Sequence, residues 1–190
     1  MRGVAEATML VTGATDGLGK RVARELAAQG ATVLLHGRSR ERLEATFEEV
    51  REQTGNEKLR SYLADLSSLG EVRELAEQVL SEHDRLGVLV NNAGIISQER
   101  RETKDGYELT FAVNYLSHFL LTSLLLPLLH DSAPARIVNV ASEETVERKP
   151  SITTAALLGH QLEMIGHVRG VVPRTLLLAA DLLPCRMIPA

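Results

Sequence analysis

Residues 8–19 read Thr-Met-Leu-Val-Thr-Gly-Ala-Thr-Asp-Gly-Leu-Gly (TMLVTGATDGLG), and the step from an apolar run into a glycine-rich turn decides the fold. Thr8–Thr12 is short and lacks in/out alternation, as expected of a strand buried on both faces. After the turn, Leu18, Val22 and Leu26 recur every four residues, a helical stripe that Gly30 stops. A turn carrying Gly13, Gly17 and Gly19 does two physical jobs. It lets the backbone approach a pyrophosphate without Cβ clashes, and it aims helix N–H groups and the positive end of the helix dipole at the phosphates. Tight turns need glycine for steric reasons alone. The surrounding pattern has to separate the two readings.

That pattern is a strand–helix alternation. Apolar runs recur at Thr32–His36, Leu59–Ala64, Val88–Asn91 and Arg136–Ala141. Between them lie helical stripes. Leu43, Phe47 and Val50 form one, ended by Gly55; Leu69, Val72, Leu75, Ala76, Val79 and Leu80 form another, with Ser67 or Ser68 as its N-cap. A fourth, longer helix is expected from about Gly106 to Leu129. Strands alternating with helices pair in parallel through right-handed crossovers. The expected architecture is therefore α/β: a doubly wound parallel sheet of the Rossmann type in three αβα layers, incomplete at its C-terminal end. In that setting the glycine turn sits where nucleotide binding needs it. From Glu143 onward the pattern loosens, and residues after Ser142 hold four of the six prolines and no aromatic. Ile152–His167 is a candidate helix and Thr175–Leu178 a candidate strand.

Composition bounds the remaining classes. With 190 residues the chain fits one domain, 1–190, and 44% hydrophobic residues against 24% charged ones close a core rather than leave a disordered coil. A net charge of −4 excludes the basic surface of a nucleic-acid-binding protein. The single cysteine, Cys185, allows no internal disulfide, and no Cys/His cluster has metal spacing, so an intracellular, cytoplasmic setting is expected. Met1–Ala7 does not resemble a signal peptide. The most apolar run, Tyr115–Leu129, contains His118 and Pro127 and is shorter than the ~20 residues of a spanning helix. A buried helix is expected there.

The end of the second strand selects the cofactor. An Asp or Glu about 20 residues past the glycines would accept hydrogen bonds from the ribose hydroxyls of NAD. This chain has His36-Gly37-Arg38-Ser39-Arg40 instead. A guanidinium suits the 2′-phosphate of NADP, which makes NADP the expected cofactor through Arg38. The other reading is that Arg38 and Arg40 are solvated residues opening an exposed helix.

These residues resemble the short-chain dehydrogenase/reductase family. The spacing of Gly13, Gly17 and Gly19, with Thr15, Asp16 and Leu18 between them, is similar to that family's cofactor turn. Asp65-Leu66 after the third strand is similar to its adenine-contacting pair, and Asn91-Asn92-Ala93-Gly94 matches its Asn-Asn-Ala-Gly signature. Asn114 falls at its structural and proton-relay asparagine, and Ser142 at its catalytic serine. The resemblance covers about residues 8–142. Leu34–Arg40 and Tyr107–Ser117 look most like the retinol-dehydrogenase-like branch. The resemblance implies hydride transfer between NADP(H) and an alcohol or carbonyl substrate; the 106–129 helix, apolar on more than one face, suits either a homodimer surface like that family's helix-pair interface or a fully buried core helix. Each residue also has a plainer reading: Asp65 as a helix N-terminal charge, Asn114 as a structural hydrogen-bonding group, Ser142 as a strand-end cap.

The resemblance breaks after Ser142. The family's reaction needs a Tyr-x-x-x-Lys pair on the next helix: the phenol passes the proton, and the lysine anchors the ribose and lowers the phenol's pKa from near 10. Here Tyr62, Tyr107 and Tyr115 all precede Ser142, and the only later lysine, Lys149, is followed by Pro150. His160 and His167 titrate in a suitable range, but nothing in the sequence orients them. Little or no turnover is expected. Either the chain is truncated or frameshifted after about Ser142, or it is a non-catalytic NADP(H)-binding module. A frameshifted fragment would expose a sheet edge and aggregate.

Overall fold

Five apolar runs become five parallel strands: β1 (Thr8–Val11), β2 (Thr32–Gly37), β3 (Leu59–Leu63), β4 (Val88–Asn91) and β5 (Arg136–Asn139). This is a computed structural model, and it describes residues 3–141. Ser142, Cys185, His160, His167 and the elements expected at Ile152–His167 and Thr175–Leu178 lie outside the described residues. The strand order is β3-β2-β1-β4-β5. The chain moves outward from β1 through β2 to β3, then returns to lay β4 on the other side of β1. That reversal opens a crevice beyond the carboxyl ends of β1 and β4, where open α/β sheets bind ligands.

Helices α1 (Gly17–Ala28), α2 (Arg40–Thr54), α3 (Leu69–Glu82) and α4 (Leu109–Asp131) cover the sheet. Successive strand residues serve opposite faces. Leu10, Leu34 and Leu89 join Val72, Leu75, Leu121 and Leu125 from α3 and α4 in one core. Met9, Val11, Val33, Leu35 and Val90 join Ala23, Ala27, Leu43 and Val50 from α1 and α2 in the other. Ser68 caps α3, its hydroxyl accepting from the Glu71 N–H at 3.2 Å, and Gly55 ends α2 in the left-handed conformation at φ 65°.

Three expectations need correction. In α1 the fully buried residues are Gly19, Ala23 and Ala27; Val22 and Leu26 of the expected stripe pack half-buried against the same core, but Leu18 is 54% exposed. Small residues let α1 lie close to the sheet, and Leu18 is left at its open end. Strands β3 and β5 are the sheet's edges, so β3 buries only Leu59 on one face and Tyr62 on the other, and β5 buries no residue fully. The long helix begins at Leu109, because Gly106 takes a turn at φ 80° and the Glu108 carboxylate caps the Thr110 and Phe111 N–H groups at 2.9 and 2.7 Å.

Helix α4 is 23 residues long, longer than the apolar run within it. It is long and apolar enough to cross a membrane by length and composition. Here it forms part of the core, burying Ser117, His118, Leu121, Leu125, Leu128 and Leu129. Over Ala112–Leu116 it widens to π geometry, the Ser117 N–H reaching back five residues to the Ala112 carbonyl. Such bulges concentrate at functional sites.

Candidate active site: a groove at the carboxyl ends of the strands

Gly13 and Gly17 hold left-handed backbone, at φ 64° and 51°, and so carry the chain from β1 into α1. The turn is locked from both sides. Toward β4, the Thr12 hydroxyl oxygen accepts from the Asn92 and Ala93 N–H groups at 2.9 and 3.0 Å. The Asn92 amide donates back to the Thr12 and Gly13 carbonyls at 2.9 and 3.3 Å. Toward β2, the Gly13 N–H donates to His36 Nδ1 at 3.2 Å. That bond leaves the proton on His36 Nε2, which donates to the Ala64 carbonyl at 3.1 Å. The buried imidazole thus ties the ends of β1, β2 and β3 together as a neutral ring. Burial pushes its pKa down to about 4.

The Asn92–Ile95 loop is held from the far side by α4. Asn114, in the π segment, accepts from the Ile95 N–H and donates to the Ile95 carbonyl, both at 2.9 Å. Its side chain is the bolt between helix and loop. One turn further, His118 is buried and approaches the Ala93 carbonyl, while its Nε2 finds no partner among the described residues. Burial lowers this imidazole to about 4 as well. On the third strand's exit, the Asp65 carboxylate accepts from the Ser67 N–H at 2.9 Å, and the Asp65 N–H donates to Glu71 at 2.7 Å.

Together these segments line a groove of about 410 Å³. Gly13, Thr15, Asp16, Gly17, Leu18, Gly19, Arg38, Asp65, Leu66, Asn92, Ala93 and Gly94 all face it, so the structure brings these candidate positions together in one place. Asn91 lies behind that lining, its amide donating to Thr122 at 3.0 Å and Asn139 at 2.8 Å. Arg40 faces away and pairs with Glu44. Six further residues line the groove, His36, Gly37, Arg42, Ala64, Ile95 and Val113, and the two with polar side chains are His36 and Arg42. A histidine closing an apolar strand run was a usable signal for the first. Nothing in the spacing marks Arg42, which reaches the groove because α2 packs beside α1.

The residues fit a dinucleotide. The Leu18 and Gly19 N–H groups at the start of α1 have no acceptor among the described residues, and no heavy atom lies within 4 Å of where a Gly17 Cβ would stand. Gly19 is different: a Cβ there would collide with the Gly13 carbonyl and the Asn92 amide. Gly19→Ala is expected to cost about 1–3 kcal/mol through overpacking. It should also abolish thermal stabilisation by nucleotide, read from melting curves with and without NADPH.

Comparison with known proteins agrees with this geometry. Residues 7–155 match the short chain dehydrogenase family. Mouse retinol dehydrogenase 13 is 46% identical over 135 residues, which is 71% of this chain and 40% of that protein. Human retinol dehydrogenase 11 is 46% identical over 134 residues, 70% of this chain and 42% of that protein. The chain therefore spans about 40% of the length of these curated relatives. Among solved structures, an Escherichia coli short chain dehydrogenase complexed with NADPH superposes with a TM-score of 0.74 at 26% identity, covering 88% of this chain and 73% of that one. The Pseudomonas aeruginosa RhlG/NADP complex gives 0.71 at 30% identity, covering 90% and 71%. A match over most of the sequence, on a parallel sheet with its glycine turn at the switch point, makes this chain a member of the short chain dehydrogenase family, in its retinol-dehydrogenase-like branch.

Proposed function

We propose that this chain is an NADP(H)-binding oxidoreductase domain whose family reaction is hydride transfer between the cofactor and an alcohol or carbonyl substrate, and that its own turnover is impaired. The observation that carries the NADP assignment is Arg38. Its exposed guanidinium lines the groove beyond β2 and has no ion-pair partner among the described residues. A 2′-phosphate would give it bidentate, charge-assisted hydrogen bonds. Leu18 and Gly19 N–H groups would hold the pyrophosphate, and Asp65 and Leu66 would flank the adenine. Asn114 keeps the Asn92–Ile95 loop in place beside the nicotinamide end. By resemblance, Asn114 and Ser142 are the proposed catalytic positions, and α4, with Phe119 40% exposed, the proposed dimer surface.

Impairment rests on the missing acid. No tyrosine or lysine lines the groove among the described residues. Tyr62 is bonded to Glu82 and His83, Tyr115 stacks on Phe111 at 5.4 Å, and Tyr107 lies in the turn before α4. A binding role without catalysis is the second reading this favours.

The test is a titration of NADPH and NADH into the protein, following thermal stabilisation. NADPH should bind tighter. Arg38→Ala should weaken NADPH about 10- to 100-fold and leave NADH nearly unchanged, because charge-assisted bonds are lost only to the phosphate. Equal losses for both cofactors would reject the phosphate assignment.

A further inference from the structure

We propose that Asp16 is an internal competitor for the cofactor's 2′-phosphate, and that Arg42 is the group for which the two compete. The inference rests on the NADP(H) reading above. Asp16 stands at the tip of the glycine turn as the N-cap of α1, with its side chain 81% exposed. One carboxylate oxygen accepts from the Gly17 N–H at 2.8 Å; the other accepts from Arg42 Nη2 at 2.7 Å. Asp16, Arg38 and Arg42 line the same groove. A carboxylate and a phosphate monoester use the same donors, helix N–H groups and guanidinium forks. Asp16 therefore holds two groups that a phosphorylated nucleotide would take.

The consequence is a specificity effect. The Gly17 and Arg42 bonds hold the Asp16 carboxyl below the ordinary carboxylate range, so it is fully charged at neutral pH. A 2′-phosphate brings nearly two further negative charges. If Arg42 turns to the phosphate, Asp16 keeps only the Gly17 N–H and the weaker pull of Lys20 beside it; if Arg42 stays, the phosphate lacks a second cation. Lys20, one turn along α1, relieves this only in part, because its ammonium is paired with Glu49. A cofactor with a free 2′-hydroxyl meets neither difficulty. Asp16 thus moderates the preference that Arg38 creates, and Arg42 is a second phosphate-binding residue held in check.

The experiment compares wild type, Asp16→Asn and Arg42→Gln by calorimetric titration with NADPH, with adenosine 2′,5′-bisphosphate and with adenosine 5′-monophosphate. Asparagine is as good an N-cap as aspartate, so the first variant should keep its fold. Asp16→Asn should tighten the bisphosphate and NADPH about tenfold and the monophosphate far less, and Arg42→Gln should weaken the first two by a similar factor. Unchanged or weaker bisphosphate binding in Asp16→Asn, with normal binding by wild type, overturns the competition. If wild type binds neither NADPH nor the bisphosphate, the failure belongs to the NADP(H) reading itself.

Discussion

Given NADPH and a panel of aldehydes and ketones, the 190-residue chain is expected to turn over about 10²–10⁴-fold more slowly than an ordinary enzyme working near ~10 s⁻¹. Bound NADPH would supply the hydride, but the carbonyl oxygen needs a proton from a positioned acid, and that contribution is worth the factor quoted. The sequence carries no tyrosine after Tyr115 and no lysine after Lys149. The three tyrosines stay out of the groove lining. His36 cannot stand in: its ring is spent on the Gly13 N–H and the Ala64 carbonyl. Steady-state assays at cofactor concentrations shown by titration to saturate the protein separate weak chemistry from weak binding. Rates near ~10 s⁻¹ would mean that another group of the chain donates the proton.

Acid should unfold this protein earlier than its carboxylates alone would. His36 and His118 are both buried and neutral, with pKa values pushed down to about 4 by loss of solvent. The unfolded chain binds a proton at each near pH 6.5. Between about pH 6.5 and 4 the unfolded state therefore holds more protons than the folded one, and stability falls as pH falls through that window, levelling below it. Each imidazole contributes up to about 3 kcal/mol of this loss. Denaturant titrations at pH 7 and pH 5 would read it. The double variant His36→Gln, His118→Gln should show a flatter pH dependence even where its stability at pH 7 is lower. An unchanged slope would place the acid sensitivity elsewhere.

Much of the fold was legible because it is local and periodic. Strand β4 occupies the run read from the sequence, the other strands differ by a residue or two at their ends, and Ser68 and Gly55 bound their helices as their chemistry requires. Helix α4 starts three residues later than its apolar spacing suggests because a glycine turn and an acidic cap precede it, and its π segment has no signature in hydrophobic spacing. The candidate site was legible wherever a segment's own backbone does the work: the glycine turn, the Asn92–Gly94 loop and the strand-end Arg38 and Asp65 all face one groove.

What the amino-acid order determined by itself is the alternation of buried strands with helices and the flexible, amide-rich turn at the first junction. Both follow from side-chain period and from glycine's access to positive φ. What only the tertiary structure decided is which distant groups meet. His36 reaches Gly13 across 23 positions, Arg42 reaches Asp16 across 26, and Asn114 reaches Ile95 across 19. Those meetings depend on how parallel strands align and how α1, α2 and α4 pack at their ends. Hydrogen bonds and ion pairs act over a few ångströms of space, and separation along a chain does not encode that distance.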